Sequence, residues 1–539
     1  MVVSERVNIK QGIVIGKEDI LPNGKRYHFF KGIPFAVPPL GELRFKAPVP
    51  IEKFSVPEIE CFKEGPASVQ HDTDTGKKFT GSEDCLYLNV FTPESKSNKP
   101  LPVMLYIHGG GFTTGNGNSD KHNPLYLLQE GVVVVTFNYR LGVLGYLSLP
   151  EAGIPGNAGL KDQVLVMKWI RQNISQFNGD PNNITLFGQS SGGSCTHLHL
   201  FLDNSKNLFQ KAIIHSGVII MPSMIDDDAP AKTRNLAKLV GCTSEDPHEI
   251  LKFLQSYNNL EEFLKPLVID GLPVWNPDIP IKPVIEDDSP EAVITKSVFE
   301  SMCEPNSVQV PVIMGYTDAE GLSRAAVCGE NLENFPKYFK DLIPPELNIS
   351  LKDPQRIQLD KSIKEFYFKG EKIDKKMTYQ LSHLLGDYQF TSYIRQAAEF
   401  HTRFQHKSPL YMYRFDFDGQ LNLYKRKHKA GHLKGASHVD DLCYVFQMEF
   451  GPPEPWDEEA HKMVLTMCKL WTNFAKYSNP TPTIDQQFGG CIWEPVPKCD
   501  SWENMNIKTL IIDKELRMMD NPDEERMAFW RNLKNYHKC

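Results

Sequence analysis

Apolar positions fall into two kinds of run. Val103-Met104-Leu105-Tyr106-Ile107, Val132 to Asn138, Asn183 to Phe187 and Ala212 to Ile214 are short and almost unbroken. That is the signature of strands buried on both faces. Between them, Leu160, Val164, Met167, Ile170, Ile174 and Phe177 recur at spacings of three and four. This spacing places them on one face of a helix that packs on the core. Ala460 to Tyr477 repeats the helical pattern, and Val310 to Gly315, Leu410 to Phe417 and Lys508 to Ile512 read as later strands. Near the N-terminus, Gly12 to Ile15 and Tyr27 to Phe30 read as strands, before Pro34, Pro38, Pro39, Pro48 and Pro50 interrupt regular structure. The alternation predicts an α/β fold: a large, mostly parallel sheet with helices on both faces. No repeat and no Pro/Gly/Ser-rich boundary divides the chain, so one domain over 1–539 with long insertions is expected.

Composition narrows the class. The 539 residues are 41% hydrophobic and 23% charged, which excludes a disordered chain and a small disulfide scaffold. Net charge is −8, so no basic excess points to nucleic acid. The densest basic run, Lys425-Arg426-Lys427-His428-Lys429, reads as a solvated loop. No apolar stretch reaches the roughly 18 residues of a membrane span. Met1-Val2-Val3-Ser4-Glu5-Arg6 lacks the apolar segment of a signal peptide, as expected of a chain that is not secreted or of one whose signal has been removed, and Tyr536-His537-Lys538-Cys539 is no retention or prenylation signal. Eleven scattered cysteines without Cys-x-x-Cys fit a reduced, cytoplasmic protein. Sequons at Asn173, Asn183 and Asn348 are short matches of a kind that chance supplies.

The chemistry concentrates in glycine-rich strand ends. Gly188-Gln189-Ser190-Ser191-Gly192-Gly193 follows a predicted strand and opens a predicted helix. That is the context of a nucleophile elbow, where a strained turn lifts a serine hydroxyl above the sheet at a helix N-terminus. His108-Gly109-Gly110-Gly111-Phe112 ends another strand. Its glycines let backbone N–H groups approach a developing oxyanion. A phosphate-binding Walker loop would need Gly-Lys-Ser/Thr, and Phe112-Thr113-Thr114 follows instead. A serine hydroxyl needs a base, and the order Ser, acid, His places both partners downstream. His438 sits in the small-residue stretch Lys434-Gly435-Ala436-Ser437 before a helical segment. For the acid, Glu320 and Asp318 both follow the strand Val310 to Gly315, and spacing does not separate them.

These motifs resemble the type-B carboxylesterase and cholinesterase family of α/β-hydrolases, and within it the insect α-esterases. The likeness runs through Phe30-Lys31-Gly32-Ile33-Pro34-Phe35-Ala36, Leu43-Arg44-Phe45, Ser82-Glu83-Asp84-Cys85-Leu86-Tyr87-Leu88-Asn89, Asn138-Tyr139-Arg140, Gly156-Asn157-Ala158-Gly159-Leu160-Lys161-Asp162-Gln163 and Gly179-Asp180-Pro181. The resemblance implies Ser190 as nucleophile, Glu320 as triad acid and His438 as base. It implies an oxyanion hole of the N–H groups of Gly110, Gly111 and Ser191, and structural ion pairs Arg44–Glu83 and Arg140–Asp162. No cofactor and no metal is implied.

Departures from the family pattern are specific. Gln189 stands where cholinesterases carry Glu, and Ser68 to Asp84 contains no tryptophan, which argues against a choline ester. Ser68 and Phe253 stand where disulfide partners of Cys85 and Cys242 would be. Ser191 replaces the usual Ala, and Val439 the usual Gly. The implied reaction is two-step acyl transfer on small-molecule carboxylic esters, lipophilic or xenobiotic, with sequestration of organophosphates as a corollary. A juvenile-hormone esterase, a neutral-lipid lipase and a non-catalytic binding protein of the same fold are the alternatives.

Overall fold

The computed structural model describes residues 4–536 apart from 72–78, 95–98, 223, 227, 265–281, 305–307, 329–341, 351, 372, 406 and 453–454. The last three residues of the C-terminal reading, the first three of the N-terminal reading and part of the tryptophan-free segment therefore lie outside the described residues.

Every strand and helix expected from the pattern forms, with shifted ends. Seven strands run parallel side by side: Val133–Phe137, Leu101–Ile107, Gly179–Gln189, Lys211–His215, Val312–Thr317, Leu410–Phe415 and Lys508–Ile512. Among the described residues, five antiparallel strands extend the flanks, and Glu58–Glu60, parallel to Gly12–Ile20, completes a 13-stranded sheet. The apolar runs are unbroken because both faces are covered. Val103, Leu105 and Ile107 enter the core on one face, and Met104 and Tyr106 enter the core on the other.

The predicted stripe after Leu160 forms the helix Ala158–Asn173, but its last turn, Ile174–Phe177, tightens to a 3-10 turn. Asn178 adopts the left-handed conformation that ends it. On the other face lies Glu458–Tyr477, whose N-cap Asp457 accepts from Ala460 N at 2.7 Å. Both ion pairs form. Arg44 grips Glu83 through two bonds of 2.6 Å, and Arg140 binds Asp162 at 2.7 and 2.9 Å with both side chains buried. Cys85 and Cys242, which face Ser68 and Phe253 in the family pattern, are free. Ser68 holds Leu141 N through its hydroxyl at 3.2 Å. Asn173 is buried at 1% exposure and bonds Lys10 N and Trp169 O, so it has no room for a glycan.

The basic run departs from the solvated-loop reading at Lys425, while Arg426, Lys427, His428 and Lys429 are exposed as expected. Lys425 is wholly buried, donating to Leu433 O and Gly435 O and pairing with Asp418. Arg426, Lys427 and His428 line the same cavity as Ser190. A helical turn, Leu423–Lys427, carries the run against the His438 loop, because Asp440 accepts the N–H groups of Tyr424 and Lys425. Among the described residues, no helix is long and apolar enough to cross a membrane.

Candidate active site

The strand Gly179–Gln189 delivers Ser190 into a turn at φ 57° and ψ −127°, and the helix Ser191–His199 starts at once. Such a conformation is costly for a residue with a side chain. It persists because the neighbouring backbone leaves no alternative. A Cβ on Gly192 would lie 2.1 Å from Ile107 O, and one on Gly217 would lie 1.9 Å from Ser190 O. Ser190 N donates to His215 O at 2.9 Å, tying the elbow to the adjacent strand.

At the end of Leu101–Ile107, Gly110 and Gly111 take φ 115° and 63°. Gly110 packs so closely on Thr114 that a Cβ would sit 2.0 Å from its carbonyl oxygen. The expected oxyanion donors thus lie beside the elbow, with one complication. Gly111 N donates to Ser191 Oγ at 2.9 Å, and Phe112 N approaches the same oxygen at 3.4 Å. The hydroxyl that replaces the family's methyl group occupies an N–H expected to face substrate. His108 is stacked on Tyr139 with ring centroids 4.4 Å apart, and burial pushes its imidazole down to about 4, so it stays neutral.

His438 and Glu320 meet. His438 Nδ1 bonds Glu320 Oε2 at 2.6 Å. The other carboxylate oxygen accepts from Ser216 Oγ at 2.5 Å and Thr317 N at 2.8 Å. Glu320 is 2% exposed, and with three donors it is held in one orientation. Asp318 points elsewhere. It accepts from Ala436 N at 2.7 Å, and burial raises its carboxyl to about 7. With Nδ1 donating to Glu320, His438 Nε2 presents a lone pair, the form a general base requires. Gln189 Nε2 donates to it at 3.2 Å. Among the described residues Ser190 Oγ makes no hydrogen bond to His438, yet both line one cavity of about 1660 Å³. Catalytic contacts are often long before substrate arrives.

Supporting groups that the sequence reading missed come from distant segments. Ser216 sits at φ 47° just after Lys211–His215, a second serine turn beside the elbow. The Ser216-Gly217 pair after a strand was a readable signal. Phe390 stacks on His438 with centroids 4.2 Å apart. It lies in a π-helical turn, Asp387–Thr391, brought close because Gly321 and Gly386 pack backbone to backbone. No local pattern announces that. Beneath the His438 loop, Asp441 accepts from His215 Nδ1 at 2.9 Å and Tyr413 Oη at 2.7 Å. Burial alone would raise this carboxyl, but those bonds hold it below its ordinary value. Val439 is left at φ 80°, strained for a β-branched residue where the family has Gly.

The family model described as the carboxylesterase family matches residues 3–530. A juvenile hormone esterase of Tribolium castaneum is 35% identical, covering 97% of this chain and 93% of its own length. Esterase FE4 of Myzus persicae is 32% identical, covering 92% and 87%. A crystal structure of juvenile hormone esterase from Manduca sexta, with OTFP covalently attached, superposes with a TM-score of 0.85 at 28% identity, covering 99% of this chain and all of that one.

Proposed function

We propose a mechanism from the premise that this chain belongs to the carboxylesterase family. It is a carboxylic ester hydrolase of the α/β-hydrolase fold. In the proposed first step, His438 Nε2 takes the proton of Ser190 Oγ as that oxygen attacks the ester carbonyl carbon. Glu320 keeps the imidazole in the required tautomer and stabilises its charged form. The tetrahedral oxyanion is received by the N–H groups of Gly110 and Ser191, and by that of Gly111 where Ser191 Oγ gives up its bond to it. The C–O bond to the alcohol breaks, the alcohol takes the proton from His438, and an acyl-serine remains. Water then attacks the acyl carbon, giving its proton to His438, and Ser190 Oγ leaves with that proton. Each oxyanion donor contributes about 3 kcal/mol to the transition state.

The observation that carries this reading is the His438–Glu320 bond of 2.6 Å in a cavity that Ser190 also lines. Substrates are proposed to be lipophilic or xenobiotic esters, for which a cavity of about 1660 Å³ has room. Organophosphates are proposed to phosphorylate Ser190 and remain bound. Intact mass after treatment with a chromogenic organophosphate tests both. One adduct per chain, absent from Ser190→Ala, is expected, and an adduct on the variant would overturn the assignment. A second reading, turnover of juvenile hormone, is favoured by the 35%-identical Tribolium relative. Assay of the hormone beside a simple butyrate ester separates the two.

A further inference from the structure

We propose that the cavity holds a second polar subsite, centred on Arg324, that takes a carboxylate borne by the ester itself. This inference rests on the esterase reading above and names a substrate class for it. Arg324 lies four residues after Glu320, in the helix Leu322–Cys328, and lines the same cavity as Ser190 and His438. Its guanidinium sits 5.4 Å from the centroid of Phe390, the ring that stacks on His438. The charge is therefore placed beside the reacting groups rather than at the surface.

The arginine is also incompletely satisfied. Its Nη1 is buried and has no hydrogen-bond partner among the described residues. Glu320 attracts it, but Glu320 already accepts from Ser216, Thr317 and His438, and no ion pair within 4.0 Å forms. The buried Arg140 and Arg44 are treated differently. Arg140 and Arg44 each hold a carboxylate by two bonds and backbone carbonyls as well. Burying a guanidinium N–H without an acceptor costs free energy, and an acceptor arriving with the substrate recovers it. A planar fork of donors fits a carboxylate better than a single carbonyl oxygen. Burial also pushes Arg324 down to about 10, far enough above neutrality to leave it charged. Lys121, Arg426 and Lys427 line the cavity as well, against the carboxylates Asp120, Glu320 and Glu449, so Arg324 and not the overall charge of the lining singles out the subsite.

Matched ester pairs test the subsite. In the first pair, 4-nitrophenyl hydrogen glutarate is compared with 4-nitrophenyl methyl glutarate. In the second, the butyrate ester of 3-hydroxybenzoate is compared with that of methyl 3-hydroxybenzoate. The first pair carries its charge on the acyl side and the second on the alcohol side. The readout is the ratio of kcat/KM, anion over methyl ester, in the wild type, R324Q and R324K. R324Q is expected to lower that ratio about 10- to 100-fold for one pair, with R324K between, since a charge-assisted bond is lost. The pair affected identifies the side of the ester that carries the anion. An unchanged ratio in both pairs overturns the proposal. So does an equal fall for charged and methyl esters, which is what an arginine serving only to offset Glu320 would produce. If the wild type cleaves no ester, the hydrolase reading falls instead. Calorimetric titration with monomethyl glutarate still decides the subsite: heat lost in R324Q upholds it, and equal or absent heat overturns it.

Discussion

On one wall of the cavity the working parts are backbone groups at strand ends; on the other they are side chains from segments as far apart as residues 216 and 438. The Ser190 wall is built by glycines that admit no Cβ, such as Gly192 beneath Ile107 O and Gly110 against Thr114 O. The His438 wall is built by Glu320, Ser216 and Phe390 converging on one imidazole. The backbone wall tolerates almost no substitution because any added atom collides with main chain. The side-chain wall can be altered one contact at a time. The first wall therefore fixes where the reacting oxygen and its donors sit, and the second supplies the base and the contacts that orient it.

Predictions test that division, beginning with the largest effect. Ser190→Ala should lower kcat about 10⁵- to 10⁶-fold with the circular dichroism spectrum unchanged, as for other serine hydrolases that lose the nucleophile. A loss below a hundredfold would mean that the elbow is not where bond-making occurs. Glu320→Gln should cost about 10⁴-fold in kcat, because the imidazole loses its oriented tautomer. Retention of most activity would transfer the acid's role to another group. Phe390→Ala removes only a stacked ring, worth about 0.5–1.5 kcal/mol, so kcat should fall roughly 3- to 10-fold. A loss as large as that of Glu320→Gln would show that the ring, not the carboxylate, positions His438.

Ser191→Ala should act in the opposite direction. It releases Gly111 N from the 2.9 Å bond to Ser191 Oγ. One freed hydrogen bond of about 1 kcal/mol corresponds to a rise in kcat of roughly fivefold. A fall would show that the hydroxyl supports the oxyanion rather than competing with it. The smallest effect on activity is expected at Asp318, which faces Ala436 N and not His438. Its carboxyl is raised by burial to about 7, so the folded state holds a proton that the unfolded chain releases near 4. Its contribution is therefore fully present below about pH 4 and is lost as pH rises to about 7. Asp318→Asn should flatten that part of the Tm-against-pH curve and leave kcat/KM within about twofold. An unaltered curve would mean that the carboxylate is stabilised in the folded state after all.

The two walls also differ in how far they could be read without coordinates. Gly188 to Gly193 and His108 to Gly111 announce themselves, because tight main-chain approach requires glycine at fixed offsets from a strand end. The parallel strands were legible for a related reason: a strand covered on both faces must be apolar throughout. Glu320 against Asp318 was not separable by spacing, since both follow the same strand. The hydrogen bonds from Ser216 and Thr317 decide between them, and they depend on how neighbouring strands end. Lys425 misled for the opposite reason. A run of five basic residues looks solvated, yet two backbone carbonyls and Asp418 surround its amine once the His438 loop folds over it.

The chain by itself thus determined the seven parallel strands, the helices that begin near Leu160 and Ala460, and the glycine-rich turn at Ser190. Each of these follows from local rules of periodicity, packing and glycine placement. Tertiary structure alone decided which acid meets His438, that Ser191 occupies Gly111 N and that Arg324 is left with a buried, unpartnered N–H. Those outcomes depend on side-chain distances of about 3 Å between segments remote in sequence, and no pattern along one chain encodes such distances.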